Sequence, residues 1–172
     1  KISGSSWEDN IKAKLFKPIG MNTATLNLKD WMKSSDKAYG YTVKKDSIVS
    51  RLDYFDIGTM APAGSINSSV RDMGQWLITW VNGGKYKGKE IIPAAYVTEA
   101  MSSQMVIQGG VPSKEKPDIF FANYGFGWML ASYKGHYRVE HGGNIDGFSA
   151  STCFFPSDSI GIVVLSNQDG SA

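Results

Sequence analysis

The sequence has little cysteine, histidine and arginine, and it has no long hydrophobic run. Its 172 residues include one cysteine and two histidines, which excludes an internal disulfide and a cysteine-based metal finger. Only three of the eighteen basic residues are arginines, and no basic stripe suited to nucleic acid is visible. The longest stretch without charge, residues 119–133, is too short for a membrane span. The composition favours a globular domain that has no membrane span and does not bind nucleic acid, and no pattern in it indicates a cofactor.

The few residues that bind transition metals are not arranged for it. His136 and His141 are five apart, and on a strand an odd spacing directs two side chains to opposite faces. No third ligand follows at a suitable spacing, so we predict no metal site. Cys153 lies in a strand-like run without a neighbouring base, which favours a small buried thiol over a nucleophile.

Helical signals dominate the first part of the chain. Ser5 to Glu8 has the pattern of a capping box, and Pro18 is predicted to end the helix that follows. Residues 30–60 have weak periodicity, which predicts an irregular segment with room for one short strand pair. Apolar residues then recur at threes and fours after Ser69, and Asn82-Gly83-Gly84 is predicted to end that helix.

The last third of the chain has the character of a β-sheet. Pro93 is predicted to begin one more helix, and four short β-rich runs follow it, over residues 124–131, 137–141, 147–155 and 160–165. Their connections are too short for parallel crossovers. Helices followed by a meander of antiparallel strands predict an α+β fold.

One segment is suggestive of chemistry, His141-Gly142-Gly143-Asn144 and the residues up to Phe148. We predict that the imidazole lies at a strand end and that a turn runs from Gly142 to Gly147. Glycines there would leave backbone amides uncovered, and such amides beside an imidazole can hold a developing oxyanion. The alternative is purely structural, a histidine that caps a strand before a glycine-rich turn, and the segment on its own favours this alternative, because glycine clusters commonly mark turns.

Two tetrapeptides match the Ser-x-x-Lys pattern of an activated serine, Ser34 to Lys37 and Ser113 to Lys116. A working version begins a buried helix, which brings a desolvated lysine one turn from the serine. Neither tetrapeptide is followed by an apolar helical stripe, so both are predicted to be solvated loops. Ser65-Ile66-Asn67 matches Ser-x-Asn but is more simply a turn before a helix. We identify no nucleophile in the sequence.

Five segments in order resemble the serine hydrolase family of class C β-lactamases, D-alanyl-D-alanine carboxypeptidases and related esterases. They are Leu15-Phe-Lys-Pro-Ile-Gly-Met21, Pro62-Ala-Gly-Ser-Ile-Asn-Ser-Ser-Val-Arg-Asp-Met73, Tyr124-Gly-Phe-Gly-Trp128, the His141 to Phe148 segment, and Ile160 to Asn167. The resemblance implies a partial β-lactamase/transpeptidase-like fold. It also implies that residues 1–172 are a single incomplete domain, the C-terminal half of a hydrolase domain.

The resemblance assigns roles to six residues. Of the family's three motifs, Ser-x-x-Lys, Tyr-x-Asn and a Lys-Thr-Gly or His-x-Gly strand, only the third is matched, as His141-Gly142-Gly143. It implies that His141 faces the substrate and the tyrosine of the family's Tyr-x-Asn motif, that Gly142 and Gly143 leave room for the substrate, and that the backbone N–H of Asn144 is one oxyanion-hole donor. The turn that contains Ala63 and Ser65 would border the substrate pocket.

The implied activity is that of a serine acyl hydrolase with an acyl-serine intermediate and a small-molecule or peptide-like ester or amide substrate. Where the family's β-lactamases have Lys-Thr, this chain has an imidazole with less positive charge at neutral pH and a glycine without a hydroxyl. A penicillin-type carboxylate should therefore bind poorly, which favours an esterase or a D-amino-acid peptidase or amidase. The alternative is a non-catalytic sensor or binding domain with the same fold.

The same resemblance implies a partner and a location. The missing N-terminal half of the same protein would supply the nucleophile and cover a sheet edge that this chain leaves open. The family also suggests the periplasm or the cell exterior. We expect this chain alone to be inactive, because no nucleophile is identified in it.

Overall fold

The computed structural model describes residues 3–45, 47–107 and 111–171. The helices among them are α1 (Trp7–Ile11), α2 (Lys17–Ile19), α3 (Leu28–Met32), α4 (Ala61–Gly64), α5 (Val70–Val81) and α6 (Ala94–Ala100). A π-helical turn, Lys12–Phe16, joins α1 to α2, and 3-10 turns occupy Gly58–Met60 and Pro156–Asp158.

The strands are β1 (Gly40–Lys44), β2 (Ile48–Leu52), β3 (Lys85–Tyr86), β4 (Lys89–Glu90), β5 (Met105–Val106), β6 (Ala122–Tyr124), β7 (Met129–Tyr133), β8 (His136–Ile145), β9 (Phe148–Phe155) and β10 (Ile160–Ser166). β1 pairs with β2, and β3 with β4. The six remaining strands form one sheet in the order β10-β9-β8-β7-β6-β5. A run of helices followed by a sheet whose neighbours are consecutive in sequence confirms the predicted α+β meander.

The contacts group the chain into two compact units. Unit 1 contains the residues up to Met73, Gly142–Ser151, and those from Val164 onward; unit 2 contains Gly74–His141 and Thr152–Val163. The single domain predicted over residues 1–172 remains a prediction.

The core of unit 2 is aromatic. Trp80 on α5 meets Trp128 edge-to-face, with 5.1 Å between ring centroids, and Trp128 meets Phe154 of β9 at the same distance. All three side chains are buried, and Phe154 is fully so. Edge-to-face pairs stabilise a fold beyond the burial of their apolar area, and they do so only in certain orientations. These contacts therefore fix α5 against the sheet.

In unit 1 a buried carboxylate fixes the start of α5. Asp72 is 4% exposed, and one of its oxygens accepts hydrogen bonds from the backbone N–H of Thr23 (2.8 Å), the hydroxyl of Thr23 (2.8 Å) and the N–H of Ala24 (2.9 Å). A buried charge is tolerated when donors surround it. Ser69 caps the helix, its hydroxyl accepting from the N–H of Asp72, as its sequence position predicted.

Two predictions at the first helix are wrong in detail. The cap is Ser6, whose hydroxyl accepts from the N–H of Asp9 at 3.0 Å, so the predicted box at Ser5 is displaced by one residue. Pro18 does not end the helix, because the π-helical turn before it shifts the hydrogen-bond pattern and accommodates a residue without an N–H. The helix ends at Gly20, in the left-handed conformation with φ 77°.

Two strand boundaries also differ from prediction. The run from 124 to 131 is two strands, because residues 125–128 form a tight connection in which a Cβ on Gly125 would lie 2.0 Å from the carbonyl oxygen of Ala100. The predicted turn from Gly142 to Gly147 is mostly strand. β8 continues through Gly142, Gly143 and Asn144, and only residues 146–147 turn, because glycine fits an extended backbone as well as a turn.

Candidate active site

The site is built on the second half of β8. The register pairs β7 with residues 136–140 of β8, from Tyr133 opposite His136 to Met129 opposite Glu140. β8 therefore runs five residues, His141–Ile145, beyond its pairing with β7. The predicted catalytic segment is this extension, and it is a strand rather than the bend that the glycines suggested.

A tyrosine hydroxyl contacts the imidazole. The hydroxyl of Tyr124, at the end of β6, lies 3.1 Å from Nε2 of His141, and the ring centroids are 6.1 Å apart at 65°. Which of the two atoms donates depends on the tautomer. In either tautomer the contact fixes the imidazole plane and joins two groups that can each give or accept a proton.

A second hydroxyl holds the backbone at the same residue. Thr152 of β9 is 8% exposed, and its hydroxyl donates a 2.9 Å hydrogen bond to the carbonyl oxygen of His141. His141 is thus held by two hydroxyls: that of Tyr124 contacts its ring, and that of Thr152 contacts its backbone carbonyl. Catalytic side chains need this kind of support to keep a productive geometry.

The two glycines of the segment have different surroundings. A Cβ on Gly143 would meet no atom within 4 Å, whereas one on Gly142 would lie 3.4 Å from the carbonyl oxygen of Ala150. Open space beside Gly143 fits the prediction that this residue leaves room on the strand. The substrate-binding roles of both glycines stay predictions.

Asn144 is fixed by its side chain. Its Oδ1 accepts a 2.5 Å hydrogen bond from the hydroxyl of Ser149 and a 3.1 Å bond from the N–H of Gly170. Ser149 is 3% exposed, and its oxygen also accepts from the N–H of Ser171 at 3.2 Å. The amide side chain is therefore used for structure, which leaves the backbone N–H as the group that the family role requires.

The predicted pocket border is brought near the end of β8. The predicted turn is a short helix, α4, which contains Ala63 and ends at its cap residue Ser65. A Cβ on Gly64 would lie 3.9 Å from Cδ1 of Ile145, so α4 lies near the end of the strand. The hydroxyl of Ser65 is 2.8 Å from the carbonyl oxygens of both Leu26 and Ala61, so its hydrogen is used in a structural hydrogen bond. Ala63 is exposed.

A large cavity opens in unit 1 beside α4. Its volume is about 740 Å³, within the range of about 300–1,000 Å³ that small-molecule sites occupy. Ser65 lines it, together with Ile145 of β8 and the aromatic residues Trp31, Tyr54 and Phe148. Ala63 does not belong to its lining.

The two Ser-x-x-Lys tetrapeptides lie in loops. The Ser34 hydroxyl donates to the carbonyl oxygen of Asp36, and Lys37 Nζ donates to the carbonyl oxygen of Ser34, not to its hydroxyl. The Ser113 hydroxyl lies 3.0 Å from a carboxylate oxygen of Glu115. In neither place does a lysine amine reach the serine oxygen that it would have to deprotonate.

Two further titratable side chains of the sheet are His136 and Cys153. His136 Nδ1 lies 2.9 Å from Asp158 Oδ2 in a surface pair. Cys153 is half-buried, and burial together with the nearby Glu140 charge raises the pKa of its thiol, which makes it a poor nucleophile at neutral pH. Within residues 3–45, 47–107 and 111–171, no three His, Cys, Asp or Glu side chains are grouped closely enough to hold a metal ion. None of the helices in those same stretches is long and apolar enough to cross a membrane.

Sequence reasoning missed Tyr124 and Thr152. Tyr124 begins one of the five family-like segments but was given no role there, and Thr152 lies outside those segments; both reach His141 from other strands of the sheet. Tyr124 is opposite Met129, and Met129 is opposite Glu140, so an assigned register for the meander would have placed Tyr124 two strands from the residue next to His141.

Relatives of known structure share the fold. An octameric penicillin-binding protein homologue from Pyrococcus abyssi superposes with a TM-score of 0.82 at 25% identity, over 98% of this chain and 35% of that one. A D-stereospecific amidohydrolase from Streptomyces superposes with a TM-score of 0.71 at 18% identity, over 98% of this chain and 46% of its own. Both matches confirm the β-lactamase/transpeptidase-like fold.

Sequence relatives point to the same group. The unguisins hydrolase of Aspergillus violaceofuscus is 24% identical over 177 residues, which cover 97% of this chain and 31% of the relative. The chain thus spans about a third of the length of that relative. The family model described as Beta-lactamase matches residues 1–172. The chain belongs to the beta-lactamase family.

Proposed function

We propose that this chain forms one wall of the active site of a serine acyl hydrolase, whose nucleophile comes from a part of the polypeptide outside these 172 residues. The observation that carries the proposal is the 3.1 Å contact between His141 Nε2 and the Tyr124 hydroxyl, on a strand that extends past its neighbour. A substrate carbonyl bound along a strand edge needs a general acid or base beside it, and an oriented imidazole can serve as either.

The chemistry is an acyl transfer in two steps. The serine oxygen bonds to the substrate's carbonyl carbon, its proton passes to a base, and the carbonyl oxygen becomes an oxyanion. The backbone N–H of Asn144 donates a hydrogen bond to that oxyanion. Stabilisation of the developing charge by such fixed donors is usually the largest single contribution to the rate. The C–O or C–N bond then breaks, the leaving group takes a proton, and water hydrolyses the acyl-serine by the reverse sequence.

In this reaction His141 holds or moves a proton beside the leaving group, and Tyr124 is a positioning residue. A tyrosine hydroxyl can donate to the neutral imidazole or accept from it, so the pair stays hydrogen-bonded when the proton moves. The resemblance implies that His141 faces a tyrosine from another part of the polypeptide. The proposal adds a second tyrosine, Tyr124 of this chain, whose hydroxyl contacts the imidazole.

The substrate that this wall fits is a neutral ester or amide. Position 142 has no side chain to bind a carboxylate, and Gly143 adjoins open space. An esterase or a peptidase or amidase for D-amino-acid peptides is the activity that we propose over an efficient β-lactamase. The name of the fungal relative, an unguisins hydrolase, supports a hydrolytic reaction for the whole protein.

The half-exposed apolar side chains of β10 support the larger protein that this proposal requires. Ile160, Ile162 and Val164 are 51%, 49% and 53% exposed, and β10 is an end strand of the sheet order. An exposed apolar edge strand is normally covered. Further chain packed on this strand would remove that surface from water.

The test is active-site labelling of the full-length polypeptide with a fluorescent fluorophosphonate, followed by peptide mapping. We expect one label per protein, on a serine outside these 172 residues, and no label on the 172-residue chain expressed alone. A label on Ser34 or Ser113 would overturn the proposal. So would a full-length protein that binds a fluorescent penicillin reversibly and never becomes acylated, because that is the behaviour of a sensor domain.

A further inference from the structure

The cavity in unit 1 has an aromatic wall that the proposed chemistry does not use. Trp31 of α3, Tyr54 and Phe55, which follow β2, and Phe148 of β9 all line it. Acyl transfer needs a nucleophile, a base and oxyanion donors; Trp31, Phe55 and Phe148 have no group that can serve as nucleophile or base, and the Tyr54 hydroxyl already donates to the carbonyl oxygen of Ala38. The four rings form one apolar wall of the cavity, and the rest of its lining is mostly polar and includes the charged side chains Asp36, Lys37, Asp56, Arg71 and Asp146. Small-molecule sites combine apolar walls with polar groups in this way.

The wall is rigid because its rings contact one another. Trp31 meets Tyr54 edge-to-face with 4.3 Å between ring centroids, and Trp31 meets Phe148 in the same way at 5.9 Å. The hydroxyl of Tyr54 donates a 2.9 Å hydrogen bond to the carbonyl oxygen of Ala38, and Tyr39 stacks on its ring at 5.8 Å. A pre-organised wall binds a ligand without first losing side-chain entropy.

The wall also stays uncharged over a wide pH range. Burial, and to a smaller degree the neighbouring Tyr39, raises the pKa of Tyr54. Its phenol therefore remains neutral where an ordinary tyrosine begins to ionise. A neutral aromatic surface selects an apolar group over a charged one.

Phe55 is the most exposed member of the wall. It is 69% exposed, whereas Trp31, Tyr54 and Phe148 are only partly exposed. Tyr54, the residue before it, is committed to ring contacts within unit 1. Burial of a phenylalanine side chain gives about 1.5–3 kcal/mol, so an apolar ligand group that covered Phe55 would gain part of that free energy.

The cavity reaches the last residue of β8 and the turn that follows it. Ile145 and Asp146 line it, and they directly follow Asn144, whose N–H is the proposed oxyanion donor. A substrate carbonyl held at Asn144 would thus direct its acyl group along the strand toward Ile145. We infer that the cavity lined by Trp31, Tyr54, Phe55 and Phe148 binds an aromatic, apolar side chain on the acyl part of the substrate, an inference that rests on the proposed hydrolase function.

The experiment compares two esters with one leaving group, p-nitrophenyl phenylacetate and p-nitrophenyl acetate, on the full-length polypeptide. We expect the wild-type protein to prefer the phenylacetate in kcat/KM, and Phe55→Ala to lower that preference about tenfold while the acetate rate stays within about twofold. Phe120→Ala is the matched control, since Phe120 is also an exposed phenylalanine, at 61%, and is not part of the cavity lining. It should leave the preference unchanged.

A binding measurement separates this inference from the hydrolase proposal. 3-Phenyl-1-propanol has no carbonyl to attack, and 1-propanol is its control. Saturable quenching of tryptophan fluorescence by the first alone, weakened in Phe55→Ala, supports the aromatic site even if no ester is cleaved. Ester cleavage without a phenylacetate preference overturns the inference and leaves the hydrolase proposal standing. Absence of 3-phenyl-1-propanol binding, as when other parts of the polypeptide fill the cavity, overturns it as well.

Discussion

The hydroxyl of Tyr124 lies 3.1 Å from Nε2 of His141, so one residue at the end of β6 sets the orientation of an imidazole on β8. We expect Tyr124→Phe to lower kcat/KM for an ester substrate about two- to tenfold, the range that one hydrogen bond of about 0.5–1.5 kcal/mol gives. The pH profile of kcat/KM should shift as well, because the hydrogen bond favours one protonation state of the pair. The control is Tyr96→Phe. Tyr96 is 48% exposed, and this variant should leave both kcat/KM and its pH profile unchanged.

The two histidines provide a matched pair. His141→Gln should lower kcat about 10²- to 10⁴-fold, the usual cost of losing a group that transfers protons, with a smaller change in KM. His136→Gln removes only a surface pair with Asp158 and should leave kcat unchanged. Steady-state kinetics of the two variants in the full-length protein make the comparison. Equal rates in both would remove His141 from the mechanism.

Two glycines of the site should respond differently to the same substitution. A Cβ on Gly147 would lie 2.7 Å from backbone atoms of Gly40, at a φ of 79°, so Gly147→Ala should lower the free energy of unfolding by more than about 2 kcal/mol. Gly143→Ala meets open space, so the protein should remain folded while kcat/KM falls as the methyl group crowds the substrate. Denaturant unfolding and ester kinetics on both variants test this contrast. A fully active Gly143→Ala would exclude the strand face as the substrate surface.

Alkaline pH should destabilise the protein through Tyr137. Its hydroxyl donates a 2.6 Å hydrogen bond to the carbonyl oxygen of Met101, and burial raises its pKa above the usual 10.0. The unfolded chain therefore loses this proton first, so the stabilisation is complete below about pH 10 and is lost as the pH rises through the folded-state pKa.

The matching variant is Tyr137→Phe. It should cost about 0.5–1.5 kcal/mol at pH 7, because the hydrogen bond is lost, and it should flatten the decline of stability above pH 10. Chemical denaturation between pH 7 and pH 11 measures both effects. An unchanged alkaline slope in the variant would assign the decline to other groups.

Much of the fold was predictable because its signals are local. Ser69 precedes an apolar helical stripe, and Pro156 to Ser159 separate two apolar runs, so α5, β9 and β10 followed from residues close together in sequence. The glycines at 142 and 143 led to the wrong prediction of a turn. Glycine occurs in both turns and strands, and only the pairing between strands decides which one forms. Pro18 misled for a similar reason, since a π-helical turn has no sequence signal of its own.

The site was predictable only as far as its motif extends. His141 and Asn144 could be identified because they follow one another in a recognisable segment. Tyr124 and Thr152 contact His141 through side-chain hydroxyls from other strands, and such contacts depend on register, which composition does not contain. The aromatic cavity depends in the same way on residues brought together from α3, the segment after β2, and β9.

The hairpin between β7 and β8 has a consequence for how this site can change in evolution. Its turn is two residues, Lys134 with φ 50° and Gly135 with φ 85°, the left-handed pair that a tight hairpin requires. An insertion or deletion of one residue between this turn and His141 would move the imidazole to the opposite face of the sheet and break its present contact with the Tyr124 hydroxyl. Changes of sequence in this stretch are therefore tolerable where changes of length are not, and the number of residues from 136 to 141 should stay fixed in every relative that keeps the activity.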